Sequence, residues 1–136
     1  MSAIAPIAIL DGAATPVTHT FAPVASDPDA IYRESIAGLS LIGQASISLR
    51  FLTPLSATLQ KVRLELVIPS LEVASGQNSQ GYTAAPKKAY DEKITMDFFL
   101  PSRGTSTSRK NLRVLAANLL ANTQVIDAIE NLNRPY

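Results

Sequence analysis

The chain has 136 residues, no cysteine and no tryptophan, and its 12 basic and 11 acidic residues give a formal net charge of +1. A domain of this length buries a core without cross-links; the lack of thiols excludes disulfides, thiolate metal sites and thiol redox chemistry, and the charge excludes bulk attraction for nucleic acid. Hydrophobic residues at 46% and charged residues at 17% exclude a disordered chain and fit a surface partly covered by other subunits.

The first ten residues are apolar but short, with no basic residue ahead of them, and no stretch approaches the roughly 18 apolar residues of a membrane span. The expectation is a soluble, unexported protein. Residues 4–10 and 15–24 are β-leaning runs on either side of Asp11-Gly12-Ala13-Ala14, a turn signal that predicts an N-terminal β-hairpin over residues 1–25. Pro6, Pro16 and Pro23 place that hairpin at the periphery, where a missing backbone donor is tolerated.

A sheet is expected over residues 30–101. After the polar loop 26–29, residues 30–35 form a candidate strand, and the clearest strand follows at 44–51. There Ala45, Ile47, Leu49 and Phe51 alternate with Ser46, Ser48 and Arg50, so successive side chains divide between an apolar and a polar face. Residues 59–68 repeat the design, with Val62, Leu64 and Leu66 against Lys61, Arg63 and Glu65. Residues 91–100 set Ile94, Met96, Phe98 and Leu100 against Lys93, Thr95 and Asp97. The pattern predicts an antiparallel sheet with one buried and one polar face. Residues 74–88, with Gly76, Gly81 and Pro86, make a long polar connection suited to contact between subunits.

The period changes after Gly104. Thr105, Ser106, Thr107 and Ser108 offer N-caps to a helix with Leu112, Leu115, Ala116 and Leu119 on one side, ending near Asn122. Thr123 is expected to cap a second helix carrying Val125, Ile126, Ile129 and Leu132, stopped by Pro135. The whole, residues 1–136, reads as one α+β domain of hairpin, sheet and two helices over residues 105–133. Two narrow helices cover only part of a broad apolar sheet, so a partner subunit is expected to bury the rest, with Leu112, Leu115, Leu119 and Ile126 in the contact.

The remaining candidates read as structural. His19 stands in a hairpin strand without a Ser/Asp triad. Asp27 with Asp29, and Asp91 with Glu92, lack calcium-loop spacing and are expected to be solvated. Residues 76–81 lack the lysine and Ser/Thr of a phosphate-binding loop. No acid/base pair or metal-ligand set converges in a motif, so neither an enzyme nor a cofactor is expected.

The order of elements, and the residues that fill it, resemble the coat proteins of levivirus-type single-stranded RNA bacteriophages. The resemblance is carried by Ser108-Arg109-Lys110-Asn111-Leu112, by the run Asn118 to Asp127 across the helix junction, and by Asp29 to Glu34 followed by Ala45 to Arg50. Asn133-Arg134-Pro135-Tyr136 is similar to the family's ending. It implies a hairpin, a five-stranded sheet and two helices that clasp a partner, giving an interlocked dimer with a ten-stranded sheet. Such dimers build an icosahedral shell in the bacterial host cytoplasm, and the virion's RNA hairpin lies on the sheet face opposite the helices. The positions that match the family's RNA contacts are Ser46, Ser48, Arg50, Lys61 and Arg63, followed by Lys93 and Thr95. In some members an aromatic on the last strand stacks on a base; here Tyr90 has the opposite parity unless a bulge intervenes. An arbitrary polar sheet face is usually just solvated, and it is the resemblance that turns this one into an RNA site. The other reading is a non-viral dimeric RNA-binding regulator that builds no shell.

Overall fold

A computed structural model describes residues 3–72, 81 and 84–135. Strands β1 (Ile7–Leu10), β2 (Thr18–Ala25), β3 (Ala30–Glu34), β4 (Ser46–Phe51), β5 (Leu59–Leu71) and β6 (Lys88–Pro101) lie in one sheet in chain order, each antiparallel to the next. Helices α1 (Ser106–Leu120) and α2 (Thr123–Glu130) follow. The hairpin and the rest of the sheet share an edge, because β2 pairs with β3 through a register shift between Pro23 and Ala25. They form a single six-stranded sheet in place of a hairpin beside a five-stranded one. Of the expected contact loop, Gly76 lies outside the described residues. Gly81 has φ +78°, a left-handed conformation that glycine adopts without strain, and Pro86 is exposed.

The strands form where the two-residue alternation is cleanest, and their pairing keeps the faces in phase. Ile47 opposes Leu66, Leu49 opposes Leu64, and Phe51 opposes Val62. Leu66, Leu64 and Val62 in turn oppose Ile94, Met96 and Phe98, so one face is apolar across three strands. The buried core on that face is small: Phe21, Tyr32, Ala45 and Ile47, with Ile7, Ala30, Leu64 and Leu66 packed against it. In the connection before β4, the 3-10 turn Leu41–Gly43 seats its glycine on the end of β5. A Cβ on Gly43 would stand 2.7 Å from Leu71 Cδ1.

The hairpin curls over this face. In a flat sheet β1 would lie four strand spacings, roughly 19 Å, from β5, yet Leu10, Asp11 and Gly12 share a cavity of about 300 Å³ with Phe21, Leu66 and Ile68. Its turn is organised by a side chain and not by a tight two-residue bend. Asp11 Oδ1 accepts from the amides of Ala13 (3.2 Å) and Val17 (2.9 Å). His19 then ties the hairpin down, with Nε2 3.2 Å from Asp11 Oδ2 and Nδ1 2.5 Å from Glu34 Oε1 on β3.

Both helices are capped. Thr105 Oγ1 accepts from the Ser108 amide at 3.1 Å, and Asn122 Oδ1 accepts from the Gln124 amide at 3.0 Å. The second cap is therefore Asn122, not Thr123, which is the first residue of α2. Helix α2 also stops earlier than its apolar spacing predicts. Leu132 lies beyond it at φ +55° and is exposed, while the Asp127 carboxylate accepts from the side-chain amides of Asn131 and Asn133. These amides compete with continuation of the helix.

The helices scarcely touch the sheet of their own chain. Leu115 is 66% exposed, Leu119 60% and Leu112 44%, and Ile126 is half-buried. The accessible surface is 10602 Å², whereas a folded monomer of 14.5 kDa exposes about 6,900 Å² by the usual size scaling. Strand β6, 14 residues long, forms one edge of the sheet. None of the helices is long and apolar enough to cross a membrane, among the described residues.

The hairpin clasp should titrate. Glu34, then Asp11, raises the His19 pKa above its ordinary 6.5, so the stabilisation from protonated His19 is complete below that value and is lost as pH rises through the raised pKa. Thermal unfolding of wild type and His19→Gln should therefore differ most near pH 6 and converge as the pH rises through and past the raised His19 pKa. A wild-type advantage that grows with pH over that range would contradict the clasp.

Candidate nucleic-acid interface

The polar face of the sheet is built by the same alternation. On β4 it carries Ser46, Ser48 and Arg50, on β5 Lys61, Arg63 and Glu65, and on β6 Lys93, Thr95 and Asp97. Pairing brings all seven expected contact residues onto this one face. Arg50 opposes Arg63, Ser48 opposes Glu65, and Ser46 opposes Val67. Glu65 in turn opposes Thr95, Val67 opposes Lys93, and Arg63 opposes Asp97.

Two arginines directly opposite one another repel unless each is compensated. Arg63 donates from Nε and Nη2 to the two oxygens of Asp97, at 2.7 and 2.8 Å, a bidentate fork. Lys61 Nζ approaches Asp97 Oδ2 at 3.3 Å. The paired guanidinium first, with help from the lysine, pulls the Asp97 carboxyl down to about 2 and raises the Arg63 pKa. Lys93 Nζ lies 3.1 Å from Glu65 Oε1, and this contact is the main reason the Glu65 pKa is lowered; Ser48 Oγ adds a 3.4 Å hydrogen bond to Oε2.

Arg50 is compensated differently. Its Nε is 3.3 Å from Asp29 Oδ2, near enough for charge attraction, but it has no aligned hydrogen-bond partner. Asp29, expected to be simply solvated, is thus the counter-charge of Arg50, and Asp91 likewise holds Lys88 at 2.7 Å. The four expected basic residues are therefore all ion-paired. These pairs are half open to water, where exchange of one partner anion for another costs little, so the face is a set of cations held in place but not locked.

Arg33 belongs to this face and was not among the expected contacts. On β3 it opposes Ser46 and, across the other neighbour, Ala22. No carboxylate lies within ion-pair distance of it among the described residues. The signal that finds it is the alternation Ile31, Arg33 carried through the register with β4. The β6 bulge falls at Ala89, between the pairs Ser70 with Tyr90 and Leu71 with Lys88. It therefore leaves Tyr90 in phase with Glu92 and Ile94 on the apolar face, away from the cations. Among the described residues no group of three or more His, Cys, Asp and Glu is placed to hold a metal ion.

The family model described as "Levivirus coat protein" matches residues 2–136. Among solved structures, the chain is similar to the virus-like particle protein of bacteriophage ESE058, with 32% identity, a TM-score of 0.89, and 99% of this chain and 100% of that one covered. It shares the fold of the virus-like particle of bacteriophage NT-214 at 24% identity and TM-score 0.84, over 99% and 100% of the two chains. The capsid protein of bacteriophage GA has 17% identity and TM-score 0.74, over 95% of each chain. No curated protein matches. With the family model covering the chain almost from end to end, this protein belongs to the levivirus coat proteins and is a structural component of a capsid, not an enzyme.

Proposed function

We propose that the chain acts as a two-fold dimer whose sheets join edge to edge, that these dimers close into a shell, and that the polar face holds single-stranded RNA on the inside. The observation that carries this reading is the mismatch between the two faces of the sheet. The apolar face and the apolar sides of both helices stand open in the single chain, with an accessible surface about half again that expected for its mass. That excess is on the scale of an obligate interface. A second copy supplies what is missing, since its helices cover the apolar face while Leu112, Leu115, Leu119 and Ile126 gain a partner. The free edge of β6 is a long template for pairing, which a two-fold axis satisfies by placing β6 against β6.

The opposite face then points away from the helices and concentrates Arg50, Lys61, Arg63, Lys93 and Arg33, doubled by the axis. Each phosphate that replaces a carboxylate partner or a bound ion releases counterions from the RNA. Ser46, Ser48 and Thr95 supply neutral donors and acceptors between the cations. The loop 74–88 is assigned to contacts between dimers on its length and polar composition, with Gly76, Gly81 and Pro86 as its shaping residues. Assembly takes place in the host cytoplasm.

Leu119→Asp should remove soluble dimer, because a carboxylate buried against the partner costs on the order of 3 kcal/mol or more. A folded monomer of that variant, seen by light scattering and circular dichroism, would argue against interlocked helices. For the RNA face, Lys61→Ala with Arg63→Ala should lower RNA affinity in a salt titration and flatten the log-log slope by about 1 for each lost phosphate contact, while Arg113→Ala on α1 changes little. Asp97→Asn should act in the opposite direction, tightening RNA binding at low salt by releasing Arg63 and Lys61 from their shared acid. Unchanged affinity and slope in the double variant, or weaker binding by Asp97→Asn, would place the RNA elsewhere.

A further inference from the structure

The polar face carries a single aromatic ring among the described residues. Alternation sends Phe21, Tyr32, Phe51, Tyr90 and Phe98 to the other face, and Phe99 alone stands on this one. Its partner across the strand pair is Lys61, whose Nζ lies over the ring, 5.0 Å from the centroid. The ring is 54% exposed, although a phenyl group is ordinarily stabilised by burial, and Leu59 beside it on the same face is 43% exposed. Lys61 Nζ also contacts Asp97 Oδ2 at 3.3 Å, so the ammonium lies between the carboxylate and the ring.

An exposed π-face with a cation lying over it matches the two ends of a nucleotide. Stacking of a base on an aromatic ring is a short-range, salt-insensitive contribution, and the phosphate of the same nucleotide reaches the ammonium. We propose that Phe99 and Lys61 form a stacking subsite for one unpaired nucleobase of single-stranded RNA. The subsite rests on the assignment of the polar face to RNA and adds to it a residue that carries no charge. Because every base has a π-face, it contributes affinity with little choice among bases, in contrast to arginine contacts with base edges.

The test compares wild type, Phe99→Leu and Phe99→Trp for binding of a short oligoadenylate and of an abasic ribose-phosphate oligomer of equal length. Phe99→Leu should bind oligoadenylate roughly five- to a hundredfold more weakly, with an unchanged log-log salt slope and unchanged affinity for the abasic oligomer. Phe99→Trp should retain affinity, and since the chain has no tryptophan of its own, quenching of its emission by oligoadenylate reports the stack directly. Equal oligoadenylate affinity for wild type and Phe99→Leu, or unquenched emission, overturns the subsite while leaving the RNA face standing. Dissociation of the Phe99→Leu dimer in sedimentation also overturns it, by placing the ring in a subunit contact. A wild-type protein that binds neither oligomer overturns the RNA face itself, and the subsite with it.

Discussion

The constraint on which the rest depends is the two-residue alternation of β4, β5 and β6, kept in phase by their pairing. Because a side chain cannot leave its face without a bulge or a slip of register, Ile47, Leu66 and Ile94 are committed to one side, and Ser48, Glu65 and Thr95 to the other. One sheet thus acquires two surfaces with opposite demands. The apolar surface needs to be covered, and the polar one is free to meet water or a charged ligand.

Coverage is where the single chain falls short. The hairpin curls over part of the apolar face, held by the His19 bridge between Asp11 and Glu34, and the turn before β4 packs against the end of β5. These elements bury Phe21, Tyr32, Ala45 and Ile47 but leave Ile68 and Ile94 exposed. The helices do not make up the difference, because they make few contacts with their own sheet. In a capsid protein such incompleteness is a means of assembly. In the dimer proposed above, association draws on the same burial that would otherwise have completed the fold.

The polar face shows how a nearly neutral protein can present an organised set of cations. Its net charge of +1 gives no long-range pull, and each of Arg50, Lys61, Arg63 and Lys93 is matched by a carboxylate. The carboxylates prevent Arg50 and Arg63 from repelling each other across the strand pair and fix the direction in which each cation points. Since exposed pairs of this kind contribute little to folding, they orient the site without closing it.

The sequence alone determined the strand faces, the order of elements and the seven polar-face residues, because alternation and helical spacing are local properties that survive into the fold. It also determined that the helices were too few for the sheet, since that follows from the widths of their apolar sides. The tertiary structure decided what depends on neighbours distant in sequence. Asn122 rather than Thr123 caps α2, and Asp127 binds the two asparagines that stop it before Leu132. Asp29 is Arg50's partner only because β3 lies beside β4, and Arg33 joins the cations only through the β3–β4 register. Phe99 continues the polar parity of β6 as an apolar residue. Alternation with Lys93, Thr95 and Asp97 gives its ring the polar face, but only pairing with β5 sets it beside Lys61, because the register of two strands is not written in either strand by itself.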